Sequence, residues 1–271
     1  MKSSSSNRFA VIGNPVAHSQ SPHIHQSFAQ QFSVNLSYKK ILTDEAQLKK
    51  VVDQFFADGG KGLNVTTPFK SAAAALADSC SEVAKASNSV NTLYLDPDTG
   101  LLVGDSTDGR GWLTDIHRLK IALEGSNVLI IGAGGAARVL VSQLLCEPVA
   151  RLHVCNRTKQ RAEELVDSKV TASGLDDIPE NNWDLIINTL SVGWQGQYPS
   201  IMACVNKETC AYDLNYGKGA VAFKKWFIQS GGQVGLFNDG WGMLVEQAAA
   251  SFNIWWNKKP DTKELISSGC L

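Results

Sequence analysis

The chain has 271 residues, 44% hydrophobic and 19% charged, with a formal net charge of −1 at pH 7. This composition suits one large or two ordinary globular domains and excludes a disordered chain, and the balanced charge leaves no broad basic field for nucleic acid or an anionic membrane. No uninterrupted apolar run is long enough to cross a bilayer, and residues 1–7 lack the apolar segment of a signal peptide, so a cytoplasmic protein with a frayed start is expected.

Phe9, Ala10, Val11 and Ile12 make a short strand that stops at Gly13. Ser21 followed by Pro22 reads as a helix start, with Ile24, Phe28 and Phe32 on one apolar face. Ser19 and Ser21 thus fall where a strand end meets a helix N-terminus, which suits a carboxylate. His18, His23 and His25 match no metal-ligand spacing and have no acidic residue close by, so no metal is expected. Residues 43–45 open a helix with Leu48, Val51, Val52, Phe55 and Phe56 on its core face and Gly59-Gly60 as its stop. Residues 61–66 read as a strand, and Thr67-Pro68-Phe69-Lys70 leads into an alanine-rich helix. Residues 90–95 and 101–105 alternate as strands about the turn Asp96-Pro97-Asp98-Thr99-Gly100. Thr107-Asp108-Gly109 then enters a helix carrying Trp112, Leu113, Ile116 and Leu119.

The strongest signal lies in residues 127–138. Val128, Leu129, Ile130 and Ile131 end abruptly in Gly132-Ala133-Gly134-Gly135-Ala136-Ala137, after which small and apolar residues continue at helical spacing. Strand, tight turn and helix in that order, with Gly132, Gly134 and Ala137 at the dinucleotide spacing, form a cradle for a pyrophosphate. A second strand over 151–155 ends in Asn156-Arg157-Thr158-Lys159-Gln160-Arg161, with no carboxylate before Glu163. An NAD site commonly places an acid here for the ribose hydroxyls. Arg157, Lys159 and Arg161 beside a threonine suit a 2′-phosphate instead, so NADP is the expected cofactor. Residues 183–188 and 211–214 continue as buried strands, 223–227 as a helix and 239–256 as a last long helix, followed by a polar, loosely held tail. The six cysteines show no C-x-x-C pair, and several lie in apolar surroundings, which reads as reduced residues.

A nicotinamide enzyme needs a proton donor beside the carbon that exchanges hydride. Lys70 and Asp108 each follow a strand and stand at or just before a helix start, which makes them the candidates.

Taken together the motifs resemble the shikimate dehydrogenases, over nearly the whole chain from Phe9 to Trp256. Residues 13–22 are similar to the family's opening motif, which implies that Ser19 and Ser21 bind the substrate carboxylate. Residues 64–70 resemble its catalytic-lysine segment, which implies roles for Asn64 and Thr66 at the substrate and for Lys70 in catalysis. Asn91 matches the asparagine that contacts ring hydroxyls, and Asp108 the partner of the lysine. Gly132, Ala133, Gly134, Gly135 and Ala136 resemble the NADP loop, and Asn156, Arg157 and Thr158 its 2′-phosphate clamp. Residues 212–216 and 242–247 resemble late motifs in which Tyr216 and Gln247 line the substrate site and Gly240 and Met243 adjoin the cofactor. Ser106, Leu190 and Trp241 depart from the usual pattern, the last two where they bear on cofactor fit.

The resemblance implies an α/β protein of two domains: a discontinuous α/β substrate domain over 1–107 and 242–271, and a doubly wound, Rossmann-type NADP-binding domain over 108–241. It implies reversible NADPH-dependent reduction of 3-dehydroshikimate to shikimate in aromatic amino acid biosynthesis, by a cytoplasmic monomer or homodimer. A quinate/shikimate dehydrogenase with relaxed NAD/NADP use, or a non-catalytic NADP-binding regulatory homologue, are the alternatives.

Overall fold

The computed structural model describes residues 7–192 and 198–269. The expected frayed tail and Cys270 lie outside the described residues, apart from Asn7. The chain divides into two compact units, residues 1–111 with 245–268 and residues 112–244 with 269–271. The division falls inside two helices, α5 (Asp108–Arg118) and α9 (Trp241–Trp256). No described helix is long and apolar enough to cross a membrane.

The first unit holds a six-stranded mixed sheet, in order β2 (Leu36–Leu42), β1 (Asn7–Gly13), β3 (Gly60–Val65), β5 (Thr92–Leu95), β6 (Leu102–Asp105), β4 (Ser79–Cys80). β1 runs parallel to both β2 and β3, whereas β3–β5 and β5–β6 are antiparallel, the latter pair being the expected hairpin. Helix α1 (Ser21–Gln31) follows β1, α2 (Glu45–Ala57) follows β2 and α3 (Lys70–Leu76) follows β3. Asp44 caps α2 by accepting the Gln47 backbone N–H at 2.9 Å, and Leu48, Val52 and Phe56 bury its apolar face against Ala10, Ile12, Leu63 and Val65. Helix α4 (Glu82–Ser87) completes this side. Strand β2 was not expected, because its sequence mixes Lys39 and Lys40 with apolar residues along a half-exposed sheet edge. The tail also departs from expectation. Residues Lys263–Ser268 form α10, which buries Leu265, and Asp261 and Gln31 exchange hydrogen bonds at 2.8 Å.

His25 is a core residue of this unit, 0% exposed and stacked on Tyr38 with ring centroids 4.6 Å apart. Burial drives its pKa down to about 3. The unfolded chain therefore takes up a proton below pH 6.5 that the folded unit refuses, and stability falls as pH drops from 6.5 toward 3. Urea denaturation of His25→Phe across that window is expected to show a shallower loss of stability on acidification than the parent. An unchanged slope contradicts this.

The second unit is a parallel sheet in order β12 (Phe237–Asn238), β11 (Cys210–Asp213), β10 (Leu185–Asn188), β7 (Asn127–Ile131), β8 (Arg151–Cys155), β9 (Val170–Ser173). Numbered within the unit from β7, that is the order 6-5-4-1-2-3 of a doubly wound dinucleotide fold, and the strand order reverses between β7 and β10. Near-continuous runs such as Val128–Ile131 are 0% exposed because helices cover both faces of a parallel sheet. Helix α6 (Gly135–Leu144) and short α7 (Lys159–Glu163) follow β7 and β8, and α8 (Val221–Gln229) precedes β12. β9 was not expected, its Val170-Thr171-Ala172-Ser173 being too short and polar to stand out from loop sequence.

Of the described cysteines only Cys155 is buried. Cys80 and Cys210 are half-buried, Cys146 and Cys204 are exposed, and all five are free thiols.

Candidate functional site

In the first unit, Lys70 begins α3 and Asp108 begins α5, and their side chains meet at 2.7 Å between Nζ and Oδ2. Asp108 is nearly buried, while the Lys70 side chain keeps 28% exposure. Asn91 Nδ2 donates to the other oxygen, Asp108 Oδ1, at 2.9 Å. Both carboxylate oxygens are thereby committed, so Asp108 is held in one orientation. An ammonium carries three donors and the ion pair uses one, which leaves Lys70 able to donate to a ligand.

Asn91 is the hub. Its amide nitrogen also reaches Thr107 Oγ1 at 2.8 Å and Gln247 Oε1 at 3.2 Å, and its Oδ1 accepts from the Thr107 backbone N–H at 2.8 Å and the Thr92 hydroxyl at 2.9 Å. Ser251, one turn along α9 from Gln247, meets Thr92 at 2.8 Å and Thr107 at 3.2 Å. Gly111 makes this approach of α5 to α9 possible, since a Cβ there would stand 2.6 Å from the Gln247 backbone nitrogen. Buried and mutually satisfied, such a network fixes its members' positions.

Asn64 is in the same network but turned inward. It accepts from the Tyr38 phenol at 2.6 Å and donates to Asn91 O, Thr92 and Ser251 at 3.0–3.3 Å, so its amide supports the site from below. Thr66 follows β3 and is half-buried. Ser21 does not cap α1. The cap position is Gln20, with no side-chain hydrogen bond, and the helix begins at Ser21 itself. The Ser21 hydroxyl accepts from Ser19 Oγ at 3.2 Å and the Ser21 backbone N–H donates to Ser19 Oγ at 3.3 Å, so the two serines stand together at the start of α1, where Gln20 supplies no side-chain cap. Thr92, Thr107, Ser251 and Tyr38 were not given a place in the site, because isolated hydroxyl-bearing residues carry no signal until tertiary contacts bring them together.

The second unit carries the glycine turn. Gly132 has φ +109°, a conformation L side chains rarely adopt, and donates its N–H to Cys155 O at 2.7 Å. A Cβ would find open space at Gly134 and Gly135, and α6 starts after Gly134 with no side-chain cap. Its first N–H groups are therefore available to an anion. Beside this turn lies a cleft of about 530 Å³ whose lining includes Gly132, Ala133, Gly134, Asn156, Arg157, Thr158 and Arg161. Among the described residues no carboxylate pairs with Arg157 or Arg161. An open glycine cradle with two exposed guanidiniums at one end fits a pyrophosphate and a further phosphate, as NADP has. Gly135 and Ala136 begin α6 without lining the cleft.

Three expected cofactor residues, Lys159, Gly240 and Met243, do not line this cleft. Lys159 is outside the cleft lining and pairs with Asp177 at 3.0 Å. Gly240 donates its N–H to Asn215 O at 2.9 Å, and Met243 is partly buried against the core of this unit. Tyr216 is half-buried, with its ring 6.1 Å from Trp241. Leu190, one of the departures from the family pattern, lines the cleft opposite Gly132. Ser106 is fully buried, and its backbone N–H donates to Asp105. Among the described residues no cluster of His, Cys, Asp and Glu could hold a metal ion.

Comparison with known proteins follows the same division. Family models match residues 11–93 as the shikimate dehydrogenase substrate binding domain, 116–192 as shikimate/quinate 5-dehydrogenase and 240–266 as the shikimate 5′-dehydrogenase C-terminal domain. The proteins named shikimate dehydrogenase (NADP(+)) from Vibrio atlanticus and Laribacter hongkongensis are 39% and 41% identical, with 96% of this chain and 95% and 96% of theirs covered. An Ael1 enzyme from Pseudomonas putida superposes with TM-score 0.88 at 35% identity, covering 98% of this chain and 99% of that one. Shikimate 5-dehydrogenase from Thermus thermophilus, in complex with NADP(H) and shikimate, gives 0.83 at 28%, with 97% and 98% covered. The chain belongs to the shikimate dehydrogenase family.

Proposed function

We propose that this protein reduces 3-dehydroshikimate to shikimate, reversibly and with NADP(H), with residues 1–107 and 242–271 as the substrate domain and 108–241 as the cofactor domain. The observation that carries it is the Lys70–Asp108 pair at 2.7 Å, locked by Asn91, in a chain that also presents the open glycine turn and the Arg157–Arg161 end of the cleft. When bound, NADPH supplies the hydride. Lys70 Nζ donates a proton to the substrate oxygen as the carbonyl becomes a hydroxyl, and takes it back in the reverse direction. Asp108 holds the ammonium in place and orients it. Ser19 and Ser21, at the start of α1, hold the substrate carboxylate with Tyr216, and Thr66, Asn91 and Gln247 read the ring hydroxyls. Gly132, Gly134 and the first turn of α6 hold the pyrophosphate, and Arg157, Thr158 and Arg161 hold the 2′-phosphate, with Asn156 bracing their loop through its bond to Thr158 O at 2.9 Å.

A site that spends buried polar groups on hydroxyls rejects analogues lacking them, because those groups are then left unpaired. The protein works in the cytoplasm as a monomer or homodimer, without nucleic acid or membrane. Steady-state kinetics of Ser21→Ala should raise KM for shikimate about tenfold, as expected for a lost hydrogen bond to a carboxylate, with kcat little changed. An unchanged KM would remove Ser21 from the site.

A further inference from the structure

We infer that Lys159 serves as the counter-ion of Asp177 and does not hold the 2′-phosphate itself, so that Asp177 sets the net charge of the clamp and with it the preference for NADP over NAD. The inference rests on Arg157, Thr158 and Arg161 binding the 2′-phosphate. Lys159 is the first residue of α7, directly after Thr158, yet its ammonium turns to Asp177 Oδ2 at 3.0 Å and lies outside the cleft lining. Asp177 belongs to the segment after β9, and a Cβ at Gly174 would stand 2.8 Å from its Oδ1, so the carboxylate is folded back on that turn. Leu175, between the two, lines the cleft.

Two residues span at most about 7 Å of chain, and the Debye length is about 8 Å at physiological salt. The field of Asp177 therefore reaches the cleft incompletely screened. Unopposed, it would repel a phosphate dianion, and Lys159 opposes it. The ammonium holds the Asp177 carboxyl below its usual range, and Asp177 in turn pushes the ammonium up, so both stay charged at neutral pH.

This differs from direct contact in a measurable way. If the pair acts through net charge, removing either partner shifts binding in opposite directions, and removing both restores it. Titration of NADP and NAD into the parent, Lys159→Gln, Asp177→Asn and the double variant, at low and physiological salt, tests it. Lys159→Gln should weaken NADP about threefold to tenfold, Asp177→Asn should tighten it by a similar factor, and the double variant should return near the parent, with smaller shifts at higher salt and none for NAD. A double variant as weak as Lys159→Gln means that Lys159 touches the phosphate, and overturns the inference. So do shifts shared by NADP and NAD, or no shift in any variant. Arg161→Gln, run alongside, separates the two levels: if it loses NADP while the pair variants do nothing, only this inference falls. If it too binds NADP normally, the clamp reading falls with it.

Discussion

Lys70→Ala is expected to lower kcat for shikimate oxidation by about 10²–10⁴-fold, the usual loss when a positioned acid–base group is removed. NADP affinity should stay near the parent value, because Lys70 belongs to the first unit and the glycine cradle to the second. Lys70 is partly exposed and its loss leaves no cavity in the core, so the variant should fold. Asp108→Asn should also lose activity, since it removes the charge that holds the ammonium at 2.7 Å while keeping an oxygen for Asn91. Pre-steady-state measurement of hydride transfer, alongside an NADP titration, checks both variants. Near-normal turnover in Lys70→Ala removes it from the chemistry.

The second large effect concerns the cofactor. Guanidinium–phosphate hydrogen bonds contribute about 1.5–3 kcal/mol each, so Arg157→Gln with Arg161→Gln should weaken NADP by about 10²–10³-fold or more. NAD, which lacks the 2′-phosphate, should bind as before. Isothermal titration with both cofactors reads this directly. Equal losses for NADP and NAD would mean the arginines support the fold of the loop and not the phosphate.

The two kinds of site were legible to different degrees, for physical reasons. The cofactor cradle shows in the sequence because its requirements are local: an apolar strand, glycine where φ is positive, and small residues where helix and strand touch. Gly132 at +109° and fully buried Ala137 meet those requirements within a dozen residues. The substrate site is not local. Asn91, Thr107, Gln247 and Ser251 come together from separate segments, and no spacing announces that. Lys70 and Asp108 stand out as candidates because each follows a strand at a helix start, but their pairing, like the roles of Asn91 and Gln247, is implied only by the resemblance to the family.

Other elements were hidden because their burial is partial. Strand β2 keeps its lysines in solvent and buries only Leu36, with Tyr38 half-buried, and α10 buries only Leu265. Lys159 shows a further limit. Sequence places three cations after β8, but only the fold shows that Asp177 returns beside one of them.

The central claim is that this chain transfers hydride between shikimate and NADP, and absorbance of the reduced cofactor tests it most directly. Purified protein would be given shikimate or quinate, each with NADP and NAD in parallel. Rapid formation of NADPH from shikimate, with little NADH and little reaction of quinate, is the predicted result. Comparable rates with NAD would contradict the reading of Arg157 and Arg161, and comparable rates with quinate the reading of the substrate site; either would place the protein among relaxed quinate/shikimate enzymes. Binding of NADP without turnover of either acid would contradict the catalytic account itself.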